Sequence, residues 1–450
     1  MNPILSLPLV GPLFSYDLWV IATASLVGAL CGVLGCYLLL RRLSMLGDAI
    51  SHAILPGLAG AFLLSGSRDL VWMLLGAAVV GVLTGVLTAG LHRVAKIAED
   101  ASMGVVFTTL FALGVLLVSF AARNVDLDPG CVLYGLLEFT PLDTVSLWGL
   151  ELPRATAALG AAALVVAAVL AALHKEIKLV AFDPALAAAL GMRPTLVHFV
   201  MVALIAGVSV VSFESVGSIL VVALLVTPAA TAHLLTDRYA RMMILATIIG
   251  ALSGAGGYLL AKHVETWTID GTALGTSTAG CVCIVGAFFF LSAALLSPRH
   301  GVLSRLARHA ALRLRICRED ILGMLYRAAE LRSRALSRDD LTQGVGSTWL
   351  VDLALILLRR SGLVVTHDAT IRLTERGHTE ARQFVGTHRL WESFLTARLG
   401  LPPDHVHAAA HKAEHFIAPE IREKLAEDVR TTQPTESPLT DPHGRQIPGP

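Results

Sequence analysis

Apolar runs of span length recur along the first two thirds of the chain, near residues 17–40, 47–65, 70–91, 102–121, 155–173, 195–212, 216–235, 241–261 and 277–297. A helix of about 20 apolar residues crosses the hydrocarbon core of a bilayer. The pattern therefore predicts an all-α polytopic membrane bundle of about nine transmembrane helices over residues 1–297. From Pro298 onward the apolar runs shorten, and Arg, Asp and Glu become dense. Residues 298–318 read as a basic juxtamembrane linker. Glu319 to Leu331 then reads as one helix. Ser337-Arg-Asp-Asp340 opens another with a capping-box pattern, and Ser347 to Gly362 forms a third, closed by glycine. Residues 363–366 and 371–374 alternate as a hairpin. Three helices and a hairpin predict a winged helix-turn-helix over 319–380, with further helices over 381–450.

Composition agrees with a membrane protein. The 450 residues are 55% hydrophobic and 15% charged, with a mean hydropathy of +0.69, which excludes an ordinary soluble globule. The net charge of +1 averages two unlike parts. Arg41, Arg42, His92, Arg93, Lys96, Lys175, Lys178, Arg238, Arg241 and Arg299 cluster in alternate loops. By the positive-inside rule those loops and the tail are cytoplasmic, in a multi-pass plasma-membrane protein. The arginines of 298–316 alternate with leucines, as in an amphipathic helix lying along an anionic leaflet.

Asp48 and His52 stand four residues apart inside an otherwise apolar span, so a helix places them on one face. A carboxylate and an imidazole stacked in this way make half of a divalent-metal site. The competing explanation is an Asp that caps the helix and a His that bonds to a neighbour. Asp183-Pro184 to Gly191 reads as a short capped helix between two spans, either a lever for another protein or a neutral connector. In the tail, His388 and Glu392 form an i, i+4 pair. His407, His411, Glu414 and His415 fall at i, i+4, i+7 and i+8, on one helical face. Ser347 and Thr348 open the helix that would read DNA, and Arg359, Arg360 and Arg372 could touch phosphates. That helix is otherwise Leu, Ile and Ala, so DNA binding and protein contact both remain open.

Three segments in order resemble the metal-permease branch of ABC transporters: Leu40-Arg-Arg-Leu-Ser-Met-Leu-Gly-Asp48-Ala-Ile-Ser-His52-Ala-Ile-Leu-Pro-Gly57, then Phe182-Asp183-Pro184 to Gly191, then Val216-Gly217 to Ala232. That resemblance, over residues 16–297, implies two permease chains, alike or different, around a central path. It also implies a separate ABC ATPase subunit and an extracytoplasmic metal-binding protein that delivers the cargo. Asp48 and His52 match the family's metal-contacting pair. Asp183, Pro184 and Gly191 match its ATPase-coupling helix. No Walker-type phosphate loop is present, as expected of a translocation subunit that is not itself an enzyme.

The tail, over about 319–448, resembles the diphtheria-toxin-repressor family of iron- and manganese-dependent regulators. The carrying residues are Gly377, His388-Arg-Leu-Trp-Glu392, His407 to His415, and Asp441-Pro-His-Gly-Arg-Gln-Ile-Pro448. The resemblance makes 381–450 a metal-binding and dimerisation region. His388, Glu392 and His407 match ancillary ligands, Glu414 and His415 match primary ligands, and Asp320 stands where the first helix supplies one. His411 departs from the usual Cys or Glu, and Gly323 replaces an acidic residue of manganese-selective members. The combined expectation is a divalent-metal import permease, for manganese or iron with zinc as an alternative, fused to a metal-sensing regulator that could also engage operator DNA. The alternative is a membrane-tethered or proteolytically released metal-dependent repressor.

Overall fold

The computed structural model describes residues 12–53, 55–66, 70–96, 98–121, 137–147, 150–264, 268–269, 272–273, 276–331, 335–367, 370–432 and 439–448. Within the second helix the side chains of Asp48 and His52 lie outside the described residues. The chain divides into two compact units, residues 1–304 and 305–450.

The first unit is a helical bundle. Among the described residues, eight helices are long and apolar enough to cross a membrane. They lie in α1 (Pro12–Leu40), α4 (Leu70–Ala95), α5 (Glu99–Ala121), α6 (Arg154–Ala172), α9 (Pro194–Val216), α10 (Ser218–Leu235), α11 (Tyr239–Val264) and α12 (Thr278–Leu296). Over the expected span at 47–65 the described residues are helical, as α2 (Ser44–Ala53) and α3 (Leu55–Ser65), with residue 54 between them outside the described residues. Pro56, in the first turn of α3, has no backbone N–H to donate. Pro228 likewise lies inside α10, which runs unbroken through it.

Small residues bring the helices close, as is usual where lipid supplies no drive for helix association. A Cβ built on Gly28 of α1 would lie 2.0 Å from the Gly250 carbonyl oxygen of α11, and one on Gly57 of α3 would lie 2.4 Å from that of Gly76 in α4. The core is organised around α1: Val27, Leu34 and Tyr37 pack in one cluster with Met201, Ile205, Leu220 and Leu224. At the start of α1, Asp17 accepts a 2.6 Å hydrogen bond from Tyr258 and pairs with Lys262 of α11. Short helices α7 (His174–Phe182) and α8 (Pro184–Ala189) join α6 to α9. Among the described residues the unit also carries two antiparallel strand pairs, β1–β2 (Thr144–Leu147, Leu150–Pro153) and β3–β4 (Thr268–Ile269, Thr272–Ala273).

The tail begins within α13 (Val302–Glu330), one helix across the segment read as a linker and the helix expected to follow it. Leu, Ala and Arg dominate this stretch, with neither Pro nor Gly before Gly323, so nothing interrupts it. β5 (Leu336–Ser337) leads into α14 (Arg338–Val345), which Ser337 and Asp340 open with a complete capping box. α15 (Thr348–Arg360) and the hairpin β6–β7 (Val364–His367, Thr370–Leu373) follow, and the sheet order is β5-β7-β6. Ile321, Leu325, Leu341, Val351, Leu355, Leu358, Ile371 and Val385 form the core, each contributing roughly 1.5–3 kcal/mol by burial. α16 (Glu375–Leu399), α17 (Pro403–Ala413) and α18 (Pro419–Thr432) close the unit.

Candidate functional site

In the membrane unit, positions 48 and 52 are one turn apart on the helical backbone of α2. The neighbouring Ala49 and Ala53 are buried, which seats this short helix inside the bundle. Asp183 caps α8: its carboxylate accepts from the Leu186 N–H at 2.9 Å, Pro184 occupies the first turn, and Gly191 takes a left-handed φ of +82° that ends the turn. Around this cap Phe182, Leu186 and Leu190 are exposed. The result is a rigid, capped knob with an apolar surface.

In the tail, the structure brings all seven metal-ligand candidates together as two groups. Asp320 of α13, His411 of α17, and Glu414 and His415 just after it form one group, with a ligand atom of each within 4.8 Å of the others. His388 and Glu392 of α16 and His407 of α17 form the second to the same limit. Helix α16 starts on a Thr374 cap, whose hydroxyl accepts from the Gly377 N–H at 3.0 Å, and so fixes the register of its buried face. The four-residue stripe expected on one α-helical face is bent, because α17 stops at Ala413 and Glu414–Phe416 is a tighter 3₁₀ turn. That turn carries Glu414 and His415 into the interior, while His407 and His411 remain exposed.

Glu414 borders both groups. One of its oxygens accepts from His411 Nδ1 at 2.7 Å and lies 3.9 Å from His415 Nε2. The other lies 2.7 Å from His388 Nδ1, out of line for a hydrogen bond. His388 Nε2 in turn contacts Glu392 at 3.0 Å, and His407 Nδ1 contacts the same carboxylate oxygen at 2.8 Å. Burial alone would push the Glu392 carboxyl up, but hydrogen bonds from His388 and His407 outweigh it and hold the group at about 2. Burial likewise disfavours charge on His415, yet the carboxylates of Asp320 and Glu319 carry it up to about 9.

The residues fit a divalent cation. Asp320 Oδ1, Glu414 Oε2 and His388 Nδ1 are buried without a hydrogen-bond partner, although such atoms are normally satisfied. Two carboxylates and two imidazoles in the first group form an oxygen and nitrogen donor set of the kind that suits Mn²⁺, Fe²⁺ or Zn²⁺. The nearby Cys317 remains a thiol, its ionisation pushed up to about 11 by burial and by Asp320. A Cβ on Gly323 would meet the Phe384 ring at 3.3 Å. That ring stacks on His415 at 5.3 Å and fills the space an acidic side chain would need.

Several contributors were not evident from sequence. Glu319 accepts from His415 Nδ1 at 2.7 Å and from Arg315 Nε at 2.8 Å. The second group opens on a cavity of about 120 Å³ that Arg389, Asp441 and His443 also line. Buried Arg389 pairs with Glu330 and donates to the Gln446 carbonyl at 2.7 Å, while Asp441 accepts the His443 and Arg445 N–H groups at 2.9 and 2.7 Å. Of the DNA-contact candidates, Thr348, Arg359, Arg360 and Arg372 are exposed and Ser347 is half-buried. Trp349, Leu353 and Ile356 are exposed on the same helix, giving it a largely apolar outer surface.

Eight helices of membrane-span length among the described residues, a short capped helix between two of them, and a tail with grouped candidate metal ligands are the architecture of a polytopic membrane protein with an appended domain. Residues 14–297 match the ABC 3 transport family, and the chain belongs to that family. Residues 374–449 match the iron dependent repressor, metal binding and dimerisation domain. The chain is 42% identical over 295 residues to the manganese transport system membrane protein MntD of Bacillus subtilis, covering 65% of this chain and 96% of that protein. It is 34% identical over 366 residues to the zinc transport system membrane protein TroD of Treponema pallidum, covering 80% of this chain and 96% of that one. Among solved structures it is similar to PsaBC from Streptococcus pneumoniae in complex with Fab, at 28% identity and a TM-score of 0.54, covering 65% of this chain and 96% of that one.

Proposed function

We propose that this protein is the membrane permease of an ATP-driven importer of divalent metal, manganese or ferrous iron with zinc as the alternative cargo, and that its cytoplasmic tail senses the same metal. The observation that carries the reading is the joining, in one chain, of the ABC 3 transport family to a unit whose Asp320, His411, Glu414 and His415 converge within 4.8 Å. Relatives named for manganese and zinc transport support the cargo class.

In this reading Asp48 and His52 line the path. A carboxylate and an imidazole from each of two permease chains would supply about four ligands to a dehydrated dication. Asp183 to Gly191 is the contact through which a separate ATPase drives the cycle; the chain itself performs no hydrolysis. An extracytoplasmic protein delivers the metal, and the protein resides in a bacterial inner membrane. Imported metal then fills the tail groups, and the tail throttles transport. The test is uptake of ⁵⁴Mn²⁺ in cells expressing the chain with its ATPase, competed by unlabelled metals. Mn²⁺ and Fe²⁺ should compete at lower concentration than Zn²⁺. Absence of energy-dependent uptake would refute the reading.

A second reading, a membrane-tethered or released repressor, is favoured by the α14–α15 pair and the β6–β7 hairpin, the elements of a winged helix-turn-helix. The exposed Trp349, Leu353 and Ile356 fit an apolar protein surface better than base edges. Metal-dependent retention of promoter DNA by the full chain would favour the repressor.

A further inference from the structure

His415 is held on both sides of its ring. Its Nε2 faces the candidate ligand oxygens, 3.4 Å from Asp320 Oδ1 and 3.9 Å from Glu414 Oε1. Its Nδ1 points the other way and donates to Glu319 Oε2 at 2.7 Å. The second Glu319 oxygen accepts from Arg315 Nε at 2.8 Å, one turn earlier on the same helix. Both Glu319 oxygens are thus engaged away from the candidate metal position.

We infer that Glu319 is a positioning residue for the metal site, orienting His415 through Nδ1, and that Arg315 holds Glu319 in place. An imidazole can ligate through Nε2 only when that nitrogen carries a lone pair, so the ring proton must sit on Nδ1. A carboxylate at Nδ1 selects that tautomer, fixes the ring plane and makes the ligating nitrogen more basic. The arrangement places the ligand Asp320 and the support Glu319 on consecutive residues of α13, facing different partners. Phe384, stacked on the ring at 5.3 Å, limits rotation that the hydrogen bond leaves free.

The inference rests on His415 being a metal ligand, and the experiment separates the two. Mn²⁺ affinity and the visible spectrum of bound Co²⁺ are measured on the full chain in detergent for wild type, Glu319→Ala, Glu319→Gln and His415→Ala. A Glu414→Ala/His415→Ala variant defines metal bound elsewhere on the chain. Glu319→Ala should weaken Mn²⁺ binding on the order of 10–100-fold and shift the Co²⁺ bands. Glu319→Gln, whose amide oxygen still accepts from Nδ1–H, should recover most of the affinity and the wild-type spectrum. Wild-type affinity and spectrum in Glu319→Ala would overturn the inference. So would a Glu319→Gln as impaired as the alanine variant, or a loss confined to melting temperature with the Co²⁺ spectrum intact. Wild-type binding by His415→Ala would instead overturn the metal-ligand reading itself.

Discussion

Replacing Glu414 by glutamine keeps the volume of the side chain and removes its charge from the point where the two ligand groups meet. The carboxylate is fully buried, with one oxygen 2.7 Å from His411 and the other 2.7 Å from His388. Water cannot substitute there without opening the turn. Hydrogen bonds to charged groups contribute about 1.5–3 kcal/mol. Full burial puts the loss at the upper end, about 3 kcal/mol, or roughly 150-fold in affinity at 1.4 kcal/mol per tenfold. Glu414→Gln should therefore weaken Mn²⁺ binding to the first group by about that factor, read by isothermal titration of the full chain. The second group should weaken less, because His388 retains Glu392 at 3.0 Å. A dissociation constant within about threefold of wild type would refute the central place given to Glu414.

Other outcomes follow from single contacts. Because His415 holds its proton up to about 9, metal must displace that proton below this pH. Mn²⁺ affinity should rise roughly tenfold per unit from pH 6 to 8 and flatten above 9, and a profile flat across that range would contradict it. Arg389→Met removes the guanidinium from Glu330 and from the Gln446 carbonyl while Asp441 keeps its two backbone N–H donors, and should cost about 2 kcal/mol, less than a fully buried pair because Glu330 is partly exposed; faster proteolysis of residues 439–448 would report it. Asp183→Ala removes the cap of α8, costs about 1 kcal/mol, and should lower transport-coupled ATP hydrolysis without loss of expression.

The apolar runs located eight of the spans because lipid demands a continuous helix, and a window of about 20 residues captures that demand. The ninth run, 47–65, is helical on both sides of residue 54, but average hydropathy there does not register Pro56, which has no backbone N–H to donate. The grouping of the tail's candidate ligands was legible in part from their spacing on short helices. The bend at Ala413, which turns Glu414 and His415 inward, was not, since a 3₁₀ turn there follows from tertiary packing. Glu319 stayed hidden for a related reason. It is an ordinary acidic residue on an arginine-rich helix, and its partner His415 lies 96 residues away. The Arg389 clasp likewise joins a helix to a segment 57 residues further on.

The claim that the membrane unit carries a dication through α2 is tested most directly by ⁵⁴Mn²⁺ uptake into proteoliposomes holding the permease and its ATPase. Wild type should accumulate label only with ATP, while Asp48→Ala and His52→Ala should fall to the ATP-free background with assembly intact. Uptake at the wild-type rate by either variant would contradict the account.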